Sequence, residues 1–230
     1  MNGNSKVAEQ EKLEQLQQID LFKDIPRPIL EKISAIVQFA DYEENQIIML
    51  EGDENIPVFI VLSGVVRVYR ANTDGREQTL IDSTCYEVFN LPTAFANDHT
   101  SPASASAITP VRLILIDQAE FQKVTCENPE IAQAVLQNMA NRLRHFVNLT
   151  YDLSLRDVRG RLAHFLLVQS QKEGLSSIHW TQEEIATHIN SVRGVVNRIL
   201  REFIKEGLVK IERNRIIILD SEMLESEAEL

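Results

Sequence analysis

The chain has 230 residues, of which 44% are hydrophobic and 25% charged, with a formal net charge of -11 and two cysteines. That length fits one large domain or two modest ones, and we expect two. The sequence contains no run of about 18 uninterrupted apolar residues, no apolar signal segment in "MNGNSKVAEQEKLEQLQQID", and too few cysteines for a disulfide framework. A membrane protein and a disulfide scaffold are thereby set aside, and the cytoplasm is the expected compartment.

Residues 1–20 read as an N-terminal arm, either frayed or weakly helical, with Val7, Leu13, Leu16 and Ile19 sparsely placed among Gln and Glu. From Gln46 to Asp117 the texture changes to short β-branched and aromatic runs: "QIIML", "VFIVL", "VVRVYR", "QTLI" and "VRLILID". Gly52, Gly64 and the Asp74-Gly75 pair punctuate them, and "DGREQ" reads as a hairpin tip in which Gly75 takes a positive φ. Strands at this spacing imply an antiparallel roll, and we assign residues 21–127 to one sensing domain.

From 128 to 154 the pattern becomes helical. Ala132, Leu136, Met139, Leu143, Phe146, Thr150 and Leu153 follow alternating spacings of four and three, a heptad seam suited to an identical partner helix. Leu136, Met139, Leu143, Phe146 and Leu153 are the expected dimer contacts; packing of this helix on its own sheet is the alternative. Residues 154–160, "SLRDVRG", look like a polar hinge before a further helix that closes at Gly174.

Charge then changes sign. Residues 1–154 carry 12 Lys and Arg against 22 Asp and Glu, residues 155–219 carry 11 against 7, and residues 220–230 carry 5 acids and no base. A positive module of 155–220 therefore sits between acidic neighbours, with 221–230 read as an acidic tail. Local sign decides whether a surface attracts phosphate.

Within that module "TQEEIATHI", Asn190-Ser191 and "VRGVVNRILREFIKEG" give two helices joined by a short turn. Thr181 and Glu184 form an expected capping box, Asn190 suits the left-handed turn, and Ser191 is the expected cap of the second helix. On a helical wheel Val196, Ile199, Leu200 and Phe203 share one face; Gly194, Asn197, Arg198, Arg201 and Lys205 lie opposite, with Arg193 at the edge. The second face is suited to a groove of duplex DNA, because an arginine fork bonds guanine O6 and N7 together. "LVKIERNRIIIL" reads as a β-hairpin wing with Arg213 and Arg215 near its tip. The expected DNA contacts are Thr181, Arg193, Asn197, Arg198, Arg201 and Arg213.

The order of roll, heptad helix, "LRDVRGRLAHFLL" and "TQEEIATHINSVRGVVNRILREFIKEGLVKIERNRIIILD" resembles the CRP/FNR superfamily of bacterial transcription regulators from about Leu21 to Leu219. The resemblance implies an α+β chain: a cyclic-nucleotide-binding-type antiparallel β-roll, a long dimerisation helix and a C-terminal winged helix-turn-helix. It also implies a homodimer that reads a near-palindromic site and acts with RNA polymerase. Arg193 and Arg198 match the family's DNA-contacting arginines, whereas Gly194 stands where a base-contacting glutamate is usual.

The sensor departs further. In the nucleotide-binding members a Gly-Glu pair and a later Arg-Ser pair hold the ribose and the cyclic phosphate. Here Asn90-Leu91 and Ser101-Pro102 occupy those places, within an expected effector pocket of Phe89, Asn90, Leu91, Ser101, Pro102, Ala103, Ser104 and Phe146. Without the arginine a buried phosphate lacks its compensating charge, so cyclic AMP is not the expected effector, although Arg112 or Arg142 are conceivable substitutes. Cys85 and Cys126 do not supply the four ligands of an iron-sulfur cluster. Haem stays open through His99 or His145, as do a small carboxylate or apolar ligand, a thiol switch at Cys85, and no effector at all. No catalytic or metal constellation is visible, so an enzyme is not expected. The alternative to a dedicated regulator is a nucleotide-binding-type scaffold or a haem or redox sensor in which DNA binding is secondary.

Overall fold

The computed structural model describes residues 10, 12–171, 180–212 and 215–229. The chain divides into two compact units, Met1–Val68 with Ile81–Leu143 and Tyr69–Leu80 with Arg144–Leu230. The α+β architecture expected from the sequence is the one observed: antiparallel sheets, a long helix and a C-terminal helix-turn-helix.

Helix α1 over residues 12–18 is followed by α2 (Arg27–Ile36) and eight strands: β1 (Val37–Tyr42), β2 (Ile47–Met49), β3 (Val58–Ser63), β4 (Val66–Ala71), β5 (Glu77–Ser83), β6 (Val88–Phe89), β7 (Ser104–Ala107) and β8 (Val111–Ile116). They form two four-stranded sheets in the orders β1-β8-β3-β6 and β2-β7-β4-β5. β8 lies between β1 and β3, pairing Val37 with Ile116 on one side and Val58 with Ile116 on the other. Most side chains on both faces of β8 are buried, Arg112 being exposed, which matches the nearly continuous apolar run "VRLILI". The β3–β4 turn needs Gly64: its φ is +85°, and an added Cβ would stand 2.3 Å from the Pro110 carbonyl oxygen.

Helices cover this first unit's core. Leu13, Leu16 and Ile19 join Phe22, Leu30 and Ile33 against Ile60, Ile114 and Phe121. Leu13, Leu16 and Ile19 therefore complete a core instead of fraying, while Val7 lies outside the described residues. Three strands, β1, β6 and β7, were not among the sequence runs. β7 consists of Ser and Ala alone, poor strand formers that are held there by their neighbours and by burial.

α3 (Gln118–Glu127), capped by Asp117, leads into α4 (Pro129–Leu155), the long helix expected over 128–154. The break after it is shorter than the seven-residue polar hinge expected: only Arg156 and Asp157 separate α4 from α5 (Val158–Gln171), because Asp157 accepts from the Gly160 N–H and starts the next helix at once. The closure expected at Gly174 lies outside the described residues.

The second unit continues with α6 (Gln182–His188), α7 (Arg193–Lys205), the hairpin β9 (Val209–Glu212) and β10 (Arg215–Ile218), and α8 (Ser221–Ala228). The last of these corrects the reading of 221–230 as an acidic tail. Asp220 caps a helix by accepting from the Met223 N–H, and Leu224 and Ala228, one turn apart, are buried in the same core as Leu162, Phe165, Ile199 and Phe203.

Candidate nucleic-acid interface and effector pocket

The helix-turn-helix is built from local signals. Thr181 Oγ1 accepts from the Glu184 N–H while Glu184 Oε2 accepts from the Thr181 N–H, closing the capping box at the start of α6. The Thr181 hydroxyl, an expected DNA contact, is thus already engaged in the cap. Asn190 adopts φ 49° and turns the chain, as its short polar side chain allows. Ser191 is not the cap of α7: Val192 occupies that position in an extended conformation, with no side-chain hydrogen bond to the first turn.

α7 is sharply two-faced. Val196, Ile199, Leu200 and Phe203 are 3% exposed or less, and they pack on Leu162, Phe165, Ile185 and Leu208. Arg193, Gly194, Arg198, Arg201 and Lys205 are exposed, and Asn197 is half-buried with Gln182 Nε2 3.5 Å from its Oδ1. Gly194, Asn197, Arg198, Arg201, Glu202 and Lys205 line one shallow open depression of about 310 Å³. A Cβ at Gly194 would meet nothing, so glycine there leaves room instead of relieving a clash. In the wing, Arg215 is exposed at the start of β10, while Arg213 lies outside the described residues.

Several residues that sequence reasoning did not single out hold this reading head in place. Arg161 Nε donates to the Ile189 carbonyl at the end of α6, and its Nη1 donates to the Arg156 carbonyl, each at 2.8 Å. Arg159 forms a fork to three carboxylates, on Glu202, Glu206 and Glu227. His188 packs tilted against Phe165 and edge-on against Trp180, at ring-centroid distances of 5.0 and 4.9 Å, with Nδ1 2.7 Å from the Glu184 carbonyl oxygen. Within the same unit, Gln78 Nε2 donates to the His188 carbonyl, and the Thr79 and Thr187 hydroxyls lie 3.2 Å apart. Arg161 lies 28 residues from Ile189 and Gln78 lies 110 from His188, so spacing carries no hint of either pair.

The effector cassette lies in the first unit. Phe89, Asn90, Leu91, Ser101, Ala103 and Ser104 are buried there and Pro102 is exposed; Phe146 falls in the second unit at 39% exposure. Asn90 takes φ 58°, its Nδ2 donates to the Ile56 and Pro57 carbonyls, and its Oδ1 accepts from Ser101 Oγ at 3.1 Å. Thr93 Oγ1 donates to the Asn90 carbonyl, and Gln118 Nε2 donates to the Ile56 carbonyl and to Thr93 Oγ1. Leu91, fully buried, belongs to the hydrophobic core. Asn90 and Ser101 are therefore bonded to each other and to the surrounding backbone, and Leu91 is held by packing.

Neither substitute arginine is a ready anion donor. Arg112 is 56% exposed, 3.8 Å from Asp41 and over the Phe39 ring. Arg142 Nε donates to Asn138 Oδ1; burial lowers its pKa, and the nearby Glu87 carboxylate offsets part of that. The residues at the places the resemblance gives to a cyclic phosphate and its ribose are an amide and a hydroxyl bonded to each other and a leucine packed in the core.

Of the histidines, His99 Nδ1 lies 3.2 Å from the Thr93 carbonyl oxygen and His145 Nε2 3.0 Å from that of Leu80. Cys85 is exposed with Sγ 2.9 Å from the Leu62 carbonyl oxygen, and burial of the sulfur pushes its thiol up against smaller lowering by Tyr86. On α4, Leu136 and Leu143 are each 67% exposed, Leu153 is half-buried, and Met139 packs against the first unit's core. Among the described residues no helix is long and apolar enough to cross a membrane.

Residues 39–128 match the family model of the cyclic nucleotide-binding domain, and residues 160–227 match that of the Crp-like helix-turn-helix domain. The chain is 30% identical over 215 residues to a CRP-like cAMP-activated global transcriptional regulator of Mycobacterium tuberculosis, covering 90% of this chain and 96% of that one. It is 28% identical over 194 residues to a global nitrogen regulator of Synechococcus elongatus, covering 80% and 86%. Among solved structures, a candidate regulator of the crp/fnr family from Eubacterium rectale superposes with a TM-score of 0.76 at 27% identity, covering 91% of this chain and 98% of that one.

Proposed function

The chain belongs to the CRP/FNR family of transcription regulators, and from that premise we propose that it works as a homodimer that reads a near-palindromic DNA site under a signal other than cyclic AMP. The observation that carries the DNA reading is α7: one face buried in the core, the other presenting Arg193, Asn197, Arg198, Arg201 and Lys205. Arg193, in the first turn, is suited to a base edge, and Arg198, Arg201 and Lys205 further along to phosphates. Pairing of two α4 helices through exposed Leu136, Leu143 and Phe146 would give the two-fold symmetry that a palindrome mirrors. Action at a promoter alongside RNA polymerase follows from the regulator class.

The signal is proposed on the cassette. The relative from Mycobacterium tuberculosis is named as cAMP-activated, but here Asn90, Leu91 and Ser101 stand at the phosphate and ribose positions, bonded internally or packed in the core.

One set of measurements tests the whole reading. A duplex selected by the protein from a randomised pool should carry two inverted half-sites and bind more tightly than random duplex, with a steep log-log salt slope for both. Sedimentation should give a dimer that Leu143→Asp dissociates. Calorimetry with cyclic AMP should give no heat of binding. A selected site with a single half-site, an unchanged mass for Leu143→Asp, or low-micromolar cyclic AMP binding would each overturn its part.

A further inference from the structure

We propose that Arg159 is a positioning residue for DNA reading, and that α8 is a brace that sets the pose of the recognition helix through it. This rests on the reading that α7 enters the groove. Arg159 stands in the first turn of α5. Its Nε and Nη2 bond the two oxygens of Glu227 on α8, at 2.5 and 3.1 Å; its Nη1 reaches Glu202 at 3.2 Å and its Nη2 reaches Glu206 at 2.5 Å. Glu202 lies in the last turns of α7 and Glu206 is its C-cap residue. The guanidinium also lies over the Phe203 ring, its central carbon 4.6 Å from the centroid.

One planar group thus joins three helices. It reaches α7 through Phe203, Glu206 and Glu202, the last of which also lines the depression beside Arg198, Arg201 and Lys205, and those three basic side chains stay exposed. A fork is the right chemistry for this, because its donors are fixed relative to each other and so fix the relative tilt of the helices that accept them. Side chains that meet a groove work only when their supporting shell holds them to within about half an ångström. The buried Leu224 and Ala228 seat α8 in the same core, so Glu227 is itself held firmly.

An alternative role is purely electrostatic. Three carboxylates near α7 repel phosphate, and Arg159 partly neutralises them. The two roles predict opposite signs for Glu227→Gln. Removing a negative charge should, through the field alone, tighten binding to every duplex. Loosening the brace should weaken binding to the selected duplex by about tenfold, which corresponds to loosening roughly one base contact, and leave random duplex within about twofold with an unchanged salt slope.

The experiment uses the full chain and compares Glu227→Gln, Arg159→Met and Arg198→Ala on selected and random duplex. Arg159→Met keeps the stem over Phe203 and removes the fork, so it should show the same loss confined to the selected duplex. If it does not fold, Glu227→Gln, which strips no core atom, decides alone. Tighter or unchanged binding by Glu227→Gln overturns the brace, as does equal weakening on both duplexes. Weakening by Arg198→Ala without weakening by Glu227→Gln sinks the brace and leaves the reading of α7 intact. Parental binding by all three removes both.

Discussion

The effector cassette and the recognition helix use polar side chains in opposite ways. Around Asn90 every donor is turned inward: Asn90 to two carbonyls, Ser101 to Asn90, Thr93 to the Asn90 carbonyl, Gln118 to a carbonyl and to Thr93. On α7 Arg193, Arg198, Arg201 and Lys205 face solvent, and the inward-facing residues are apolar. A buried donor spent on a neighbour stabilises the fold and has nothing left for a ligand; an exposed arginine contributes little to stability and remains available for phosphate or a base. The cassette is thus a set of polar groups bonded to one another, and the reading head a surface on which Arg193, Arg198, Arg201 and Lys205 stay exposed.

That comparison breaks most visibly if an inward-facing pair proves dispensable. Arg67 and Asp82 join β4 and β5 at 3.2 Å, with side chains 8% and 2% exposed. Asp82→Ala removes a carboxylate partner of a buried guanidinium, and we expect a loss of about 3 to 5 kcal/mol, seen as a lower denaturant midpoint at unchanged slope. A midpoint within experimental error of the parent would show that the roll relaxes around its polar groups. Next in size, Arg193→Ala and Arg198→Ala should each cost about 1 to 3 kcal/mol in affinity for the selected duplex and leave the midpoint unchanged. Arg193→Ala should also broaden the selected sequence. A fall in stability comparable to the fall in affinity would mean that these arginines serve the fold.

The two regions also differ in how much of them the sequence discloses. The reading head is local: Thr181 and Glu184 are three residues apart, Asn190 marks its own turn, and the buried face of α7 recurs at helical spacing, so all were legible. Ser191 was misplaced because composition favours Ser over Val as a cap, whereas the backbone starts the helix one residue later, after Val192. The tail at 221–230 was misread because a single turn separates Leu224 from Ala228, too short for a periodic signal. The Arg159 fork joins residues 43, 47 and 68 positions away, and β7 is a strand of Ser and Ala made by its neighbours. Such features belong to tertiary packing and leave no mark at short range.

A gentler test lies within the cassette. Ser101→Ala takes the hydroxyl donor from Asn90 Oδ1, while the amide keeps its two carbonyl partners. We expect a loss of about 1 kcal/mol in stability, since one buried acceptor loses one neutral bond. Affinity for the selected duplex should not change. Tighter or weaker DNA binding by this variant would mean that the cassette does more than support itself, and that the hydrogen bond is one side of a switch.

The smallest effect concerns a histidine at the junction of α4 and α5. His164 Nε2 lies 3.5 Å from Asp152 Oδ2, and Arg156 Nη1 bonds the other oxygen of the same carboxylate. Burial lowers the His164 pKa below its ordinary 6.5, Asp152 opposes that and Arg156 adds to it, so the folded protein favours neutral imidazole. In the unfolded chain the ring accepts its proton at the ordinary value. As pH falls below 6.5, the unfolded state therefore binds the proton first, and stability present at neutral pH is lost until the folded-state pKa is passed. The side chain is 39% exposed, so solvent screening keeps the change small. His164→Gln removes this component and keeps a donor toward Asp152. The midpoint of the parent should fall more between pH 7.5 and 5.5 than that of the variant, the carboxylates common to both cancelling in the difference. A steeper fall in the variant would show that Asp152 outweighs burial, with the charged imidazolium holding the junction together.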